Sequence, residues 1–189
     1  MQNIHECIAA GTLRARVECV ISSREGVQGL DRAANCGLTT HVVQSSASDE
    51  SGFHERIAGL LDIAGVQLIC LCGFTTLWRI PPRYQGRVIN IHPALLPKFG
   101  GYGYYGLKVH EAVLAAGEKE SGCTVHYCDN EYDHGPIILQ RRVTVRREDT
   151  TESLADRVFA EECIAYPQVI QMFADGRVPS YQALAGQSG

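Results

Sequence analysis

Apolar positions along the chain change period several times, and each change marks a different element. Near the start, Ile4, Ile8 and Ala9 recur at helical spacing up to Gly11, which predicts a short helix with a glycine stop. Val17 to Ile21 reads as a strand closed by Ser22-Ser23. Leu30, Ala33 and Ala34 then share a helical face that ends near Gly37, and Thr40 to Val43 is a second short strand. Ile57, Leu60, Leu61 and Ala64 place a helix over Phe53 to Ala64, stopped by Gly65. Val66 to Leu71 is a nearly continuous apolar run, the pattern of a parallel strand covered on both faces.

The second half opens with a strand over Arg87 to Ile91 that stops at His92-Pro93. A glycine- and tyrosine-rich stretch, Phe99 to Gly106, precedes a helix over Val109 to Ala116. Thr124 to Cys128, Ile137 to Gln140 and Val143 to Val145 are spaced like hairpin strands. Thr150-Thr151-Glu152 opens a long last helix that runs to Asp175-Gly176, and the small, polar tail Ala183 to Gly189 reads as frayed. No internal repeat or linker divides the chain, so residues 1–189 form one domain. Strands alternating with helices, followed by a hairpin-like region, predict a three-layer α/β fold with a mostly parallel sheet.

Composition narrows the class. Of 189 residues, 45% are hydrophobic and 20% charged, which argues against a disordered chain or a coiled coil. The balance of 17 Lys and Arg against 21 Asp and Glu gives a net charge of -4, so no cationic surface for nucleic acid or anionic lipid follows. No apolar run approaches the ~20 residues that span a bilayer, and Met1 to Leu13 lacks the apolar stretch of a secretory signal. The expectation is a cytoplasmic domain with neither nucleic acid nor membrane as partner. Eight scattered cysteines without a CxxC pair read as free thiols of a reducing compartment. Cys70 and Cys72, within Leu68 to Cys72, read as small buried hydrophobes.

Ligands of open α/β sheets sit beyond the carboxyl ends of the strands. Asn90 and His92 fall where a strand gives way to a loop and, two apart, point to the same side. An amide donor beside an imidazole suits a reaction in which negative charge develops on a carbonyl oxygen. The loop Asp129-Asn130-Glu131-Tyr132-Asp133-His134-Gly135-Pro136 adds carboxylates, and one of them near an imidazole would raise its pKa and prepare a general acid. From spacing alone, an Asn-Ile-His string also fits a capped strand end, and an acidic loop before Gly-Pro also fits a solvated turn. His110 and His126 are expected to be structural, and His134 a turn residue beside Asp133. His110-Glu111 lacks the continuation of a metalloprotease helix motif, so no metal site is expected.

The wider strings carry a resemblance. Asn90-Ile91-His92-Pro93-Ala94-Leu95-Leu96-Pro97-Lys98-Phe99, with Gly122 to Tyr127, Asp129 to Pro136 and Ile137 to Gln140, resembles the signature of the folate-dependent formyltransferases. Arg157-Val158, Glu162, Tyr166-Pro167 and Phe173 to Arg177 extend the likeness over nearly the whole chain, toward the glycinamide ribonucleotide branch of purine synthesis. The resemblance implies a Rossmann-like formyltransferase fold, mostly parallel with an antiparallel C-terminal part. It implies formyl transfer from 10-formyltetrahydrofolate, as co-substrate, to the glycinamide amine, without a metal. By the same resemblance Asn90 would steady the oxyanion, His92 would donate a proton as imidazolium, and Asp133 would hold His92 and raise its pKa. Folate would lie between Thr75-Thr76-Leu77-Trp78 and the segment Asp129, Asn130, Glu131, Tyr132 and Asp133, with Asn90 at its inner end. Glu162 would sit near the amine substrate. The aromatic cluster Tyr102, Tyr104 and Tyr105 would line the substrate groove or pack over the sheet.

The chain also departs from that pattern. Such relatives begin with another strand and a glycine- and serine-rich loop that holds the substrate phosphate, whereas Met1-Gln2-Asn3-Ile4 resembles the interior of their first helix. The expectation is a formyltransferase domain truncated at its N-terminus, acting on small molecules as a monomer or homodimer. Thr75-Thr76 stands where many relatives carry a longer or basic side chain. Two other readings stay open: a formyltransferase for another amine, such as a sugar amine, and a folate-binding module without catalysis.

Overall fold

The structure, a computed structural model, describes residues 1–46 and 48–186. In chain order it runs α1 (Gln2–Ala9), β1 (Val20–Ser22), α2 (Gln28–Asn35), β2 (Thr40–Val42), α3 (Glu50–Ala64) and β3 (Ile69–Leu71). It continues with a 3-10 turn at Pro82–Tyr84, β4 (Val88–His92), α4 (Leu107–Ala115), β5 (Glu120–Tyr127), β6 (Ile137–Thr144), α5 (Thr151–Ala174) and α6 (Tyr181–Ala185). The helix ends follow the expected chemistry. The Asp49 carboxylate accepts the Gly52 amide at the start of α3, and Gly65 ends that helix in the left-handed region at φ 63°. Thr150 and Ser153 form a reciprocal capping box on α5.

The described strands form two sheets. β1 and β2 pair in parallel, while a four-stranded sheet has the order β3-β4-β5-β6, parallel between β3 and β4 and antiparallel thereafter. The parallel N-terminal and antiparallel C-terminal parts agree with the expected class, but the sheet is divided between β1 and β3. Ile137 to Gln140 and Val143 to Val145, read as separate strands, belong largely to one continuous β6, because Arg141 and Arg142 stay in register with Cys123 and Gly122. Of the tail expected to be frayed, residues 183–185 lie in α6, capped by Ser180, and 187–189 lie outside the described residues.

Two apolar cores lie against the strands. One gathers Ile4, Ile89, Val125, Tyr127, Leu154, Val158, Val169 and Ile170 from α1, β4, β5 and α5. The other gathers Val43, Phe53, Ile57, Leu61, Trp78, Tyr84 and Val88 around α3. Helices on both sides of the strands give the three layers. All eight cysteines are free, and burial pushes the Cys123 thiol up to about 12, so it behaves as a small apolar residue. Cys72 departs from the expectation of burial: it is exposed just past the end of β3, whose other edge pairs with no strand among the described residues.

Tyr166 ties the layers together. Its ring is buried in α5, and its hydroxyl lies 2.9 Å from the Leu71 carbonyl and 3.0 Å from the Ile89 carbonyl, which brackets the ends of β3 and β4. Burial holds the phenol well above its ordinary pKa, so it remains a donor. Tyr166→Phe keeps the ring and removes the donor that two buried carbonyls share. A loss of roughly 1–3 kcal/mol is expected in urea unfolding with an unchanged m-value; a change under ~0.5 kcal/mol would show that the hydroxyl does not couple α5 to the strands.

Candidate active site

Strand alternation and antiparallel register assemble the site. Asn90 and His92 occupy alternate positions at the carboxyl end of β4, and pairing with β5 sets Asn90 opposite His126 and His92 opposite Thr124. Four polar side chains therefore share one face of a two-strand ribbon. A bulge in the β5–β6 pairing between Val125 and His126 lies beside this cluster.

Thr124 positions the turn that follows β4. Its hydroxyl donates to the Ala94 carbonyl at 2.6 Å and accepts the Leu96 amide at 3.1 Å. The Gln140 amide donates to the same hydroxyl and to the Leu96 carbonyl, at 3.0 and 2.9 Å. The chain then reaches Phe99 with φ 56°, and the Phe99 carbonyl lies 2.7 Å from His92 Nε2. A carbonyl only accepts, so Nε2 carries a proton and Nδ1 is the titrating atom.

Asp133 faces that Nδ1. Its Oδ2 lies 3.4 Å from His92 Nδ1 and accepts the Gly101 amide at 3.0 Å. Its Oδ1 accepts from Asn90 Nδ2 at 3.2 Å and lies 3.6 Å from His126 Nε2. Asp133 is at φ 52°, a left-handed conformation rare outside glycine and one that turns its side chain back into the cluster. Gly100 allows the approach: a Cβ there would stand 2.4 Å from Leu96 Cδ2 and 3.2 Å from Asp133 Cβ.

The electrostatics partly reverse the expectation. His92 is 4% exposed, and burial lowers its pKa by more than Asp133 and the Phe99 carbonyl raise it. The net shift is downward, so His92 rests as neutral imidazole, not as the imidazolium expected from its carboxylate neighbour. For Asp133, burial favours the neutral acid, but the neighbouring imidazoles of His126 and His92 and the Gly101 amide outweigh it. The carboxyl stays below its ordinary value and ionised.

His126, expected to be structural, also belongs to the cluster. Its Nδ1 lies 2.8 Å from the Tyr127 carbonyl, which fixes a proton there and turns Nε2 to Asn90 Nδ2 at 3.3 Å. The available signal was its place in an apolar strand, which predicts an inward side chain on the face that Asn90 shares.

The segments expected to flank folate lie side by side. Asn130 Oδ1 accepts the Ile80 amide at 2.8 Å, and the Tyr132 hydroxyl donates to the Thr75 carbonyl at 3.4 Å, bringing 75–80 beside 129–133. Thr76 bonds Ser23, and Leu77 is half-buried. The Trp78 indole is buried and donates to the His54 carbonyl, so its ring belongs to the core. The Asp129 carboxylate accepts the Glu131 amide and pairs with His134, raising the pKa of that exposed imidazole. Tyr102 extends from the glycine-rich loop to pack on Tyr132, with ring centroids 5.9 Å apart. Glu162 stands apart from the Asp133 cluster, beside Cys72, Cys123 and the chain's N-terminal ammonium. Burial pushes its carboxyl up to about 7, against the lowering pull of that ammonium.

Known proteins give this geometry its context. The formyl transferase family matches residues 1–170. The phosphoribosylglycinamide formyltransferase of Escherichia coli K12 is 34% identical over 192 residues, covering 100% of this chain and 88% of that protein. The trifunctional purine biosynthetic protein adenosine-3 of Gallus gallus is 37% identical over 87% of the chain, although the chain spans only 16% of that longer protein. The crystal structure of glycinamide ribonucleotide transformylase 1 from Symbiobacterium toebii superposes with a TM-score of 0.84 at 39% identity, covering 93% of this chain and 82% of that one. With a family match over most of its length and the fold shared, this chain belongs to the formyl transferase family.

Proposed function

We propose that the chain transfers a formyl group from 10-formyltetrahydrofolate to the primary amine of phosphoribosylglycinamide. The observation that carries this reading is the convergence of Asn90, His92 and His126 on the ionised Asp133, at the carboxyl end of β4. The names of the similar proteins supply the substrate pair.

In this reading the folate ring lies between 75–78 and 129–133, where main-chain groups of both segments are within reach of a flat heterocycle. The amine lone pair attacks the formyl carbon and the carbonyl π electrons move to oxygen. The formyl oxygen takes one of the two Asn90 Nδ2 hydrogens, displacing His126, while Asp133 retains the other. His92 Nδ1 takes the proton released as the amine becomes an amide, and Asp133 holds the resulting imidazolium. The tetrahedral intermediate collapses as the bond to the folate nitrogen breaks, and His92 returns its proton to that nitrogen. Glu162, largely buried and titrating near neutrality, faces the amine side.

The direct test is formyl transfer between these two substrates. Turnover with phosphoribosylglycinamide supports the reading. Turnover only with a sugar amine moves the substrate class, and folate binding without turnover favours a binding module. Asn90→Ala is expected to lower kcat by about 10²–10³ and His92→Ala by about 10²–10⁴, with folate affinity changed far less. Equal losses in kcat and affinity would count against both assignments.

The pH dependence follows from His92. Burial lowers its pKa, so kcat/KM stays level at neutral pH and falls only as pH drops below the ordinary histidine value of about 6.5. Asp133→Asn removes the one group that favours the imidazolium by its charge, and the acid limb is expected to move to still lower pH. An unmoved limb would reject the coupling.

Glu162 contributes with the opposite sign. Its carboxyl is raised from the ordinary range to about 7, so the stability tied to its protonated form is present at low pH and lost as pH rises through 7. Glu162→Gln, which stays neutral, should match the parent chain's Tm near pH 4.5 and exceed it above pH 7. A Tm difference independent of pH would show that Glu162 does not titrate in the fold.

A further inference from the structure

One wall of the folate cleft is held in place from outside itself. Residues 73–80 lie in no helix or strand, and among the described residues they make no hydrogen bond between main-chain groups. Side chains therefore fix their course. At the near end the Tyr132 hydroxyl donates to the Thr75 carbonyl at 3.4 Å, and the Thr76 and Ser23 hydroxyls lie 3.1 Å apart. At the far end Asn130 Oδ1 accepts the Ile80 amide at 2.8 Å. Between these ends, both hydrogen bonds of residues 77–79 go to one residue, His54, in the second turn of α3.

His54 offers two acceptors to that wall. Its main-chain carbonyl accepts from Trp78 Nε1 at 3.2 Å, and its Nδ1 accepts the Arg79 amide at 3.3 Å. An amide N–H only donates, so Nδ1 carries the lone pair and the ring proton sits on Nε2. The surroundings suit that tautomer. The Glu50 carboxylate, one turn earlier, lies 3.6 Å from Nε2, beyond hydrogen-bond reach but with the favourable sign. The Phe53 ring packs edge-on to the imidazole with centroids 5.3 Å apart, and the His54 side chain is only 13% exposed, which leaves the ring little room to turn away.

The two neighbouring amides of the wall go to different elements. Arg79 is tied back to α3, and Ile80 is tied across to the 129–133 loop. Consecutive peptide groups held from both sides fix how far the wall stands from that loop. Trp78 belongs to the apolar core with Phe53 and Ile57, so His54 acts from behind the wall and not from the cleft.

We propose that His54 is a positioning residue for the folate co-substrate: it holds Trp78 and Arg79 so that the main chain of 75–78 keeps its place opposite 129–133. This rests on the formyl transfer reading. Acting behind the wall, His54 governs folate affinity and leaves the rate of the assembled complex unchanged.

Two substitutions in the full chain separate this role from a merely structural one. Asparagine carries an oxygen near the position of Nδ1, whereas glutamine places its polar end near that of Nε2. His54→Gln is expected to raise the KM for 10-formyltetrahydrofolate about 3–10-fold, the worth of one net hydrogen bond. Its kcat and its KM for phosphoribosylglycinamide should stay within about 2-fold of the parent. His54→Asn should restore the folate KM to within about 2-fold. Helix propensity predicts the reverse order, because glutamine suits a helix better than asparagine. Amide hydrogen exchange without substrate gives the second readout: the Arg79 amide should exchange about 3–10-fold faster in His54→Gln than in the parent or His54→Asn. Equal folate KM in the two variants, a ranking that follows helix propensity, an equal fall in kcat, or unchanged Arg79 exchange would overturn the proposal. A parent chain that binds no folate would defeat the formyl transfer reading instead, and the exchange pattern would still accept or reject His54 as the anchor of the wall.

Discussion

A carboxylate cannot remain ionised within a protein unless donors replace the water it has lost. Asp133, with a side chain 11% exposed, is the point where this constraint shapes the chain. The Gly101 amide and the Asn90 side chain donate to it, and two imidazoles face it. To bring those groups together the backbone enters the left-handed region at both Phe99 and Asp133, and Gly100 sits where a side chain would strike Leu96. Strained backbone at two non-glycine positions of one cluster is a cost that the network around them offsets. The same carboxylate holds Asn90 in orientation and defines which nitrogen of His92 titrates.

That arrangement rests on a rigid ribbon. β4 pairs with β5, and β5 with β6 across one bulge, around Asn90, His92, Thr124 and His126, and the Thr124 hydroxyl with Gln140 fixes the turn whose Phe99 carbonyl engages His92. The polar groups of the cluster are therefore held by strands, and the loops that carry Asp133 and Gly101 are held by them in turn. Such preorganisation matters most for charge that develops during the reaction, because the donors need not reorganise when it appears.

Much of this was legible from residue pattern. Alternation put Asn90 and His92 on one side, and glycine stops placed the ends of α1, α2 and α3. What stayed hidden depended on contacts between distant segments. The role of His126 requires the register of β5 on β4, which periodicity within one strand does not specify. The direction of the His92 shift requires knowing its burial. A carboxylate neighbour alone argues for a raised pKa, whereas a buried ring loses more hydration than that neighbour returns. The continuity of β6 was obscured by Arg141 and Arg142, charged residues in a strand whose side chains reach Glu161 and Glu120. The apolar run ending β3 announced an internal strand, and only the fold reveals that, among the described residues, β3 pairs on one edge alone.

Glu162 lies outside the Asp133 cluster. Burial raises its carboxyl to about 7 against the lowering pull of the N-terminal ammonium, so its charge is governed by desolvation and not by the donors around Asp133. Asp133 is also desolvated, yet the groups that face it hold its carboxyl below the ordinary value. The fold thus keeps two carboxyls in opposite states, one ionised by its partners and one drawn toward the neutral acid by burial, and the difference lies in the partners each one finds.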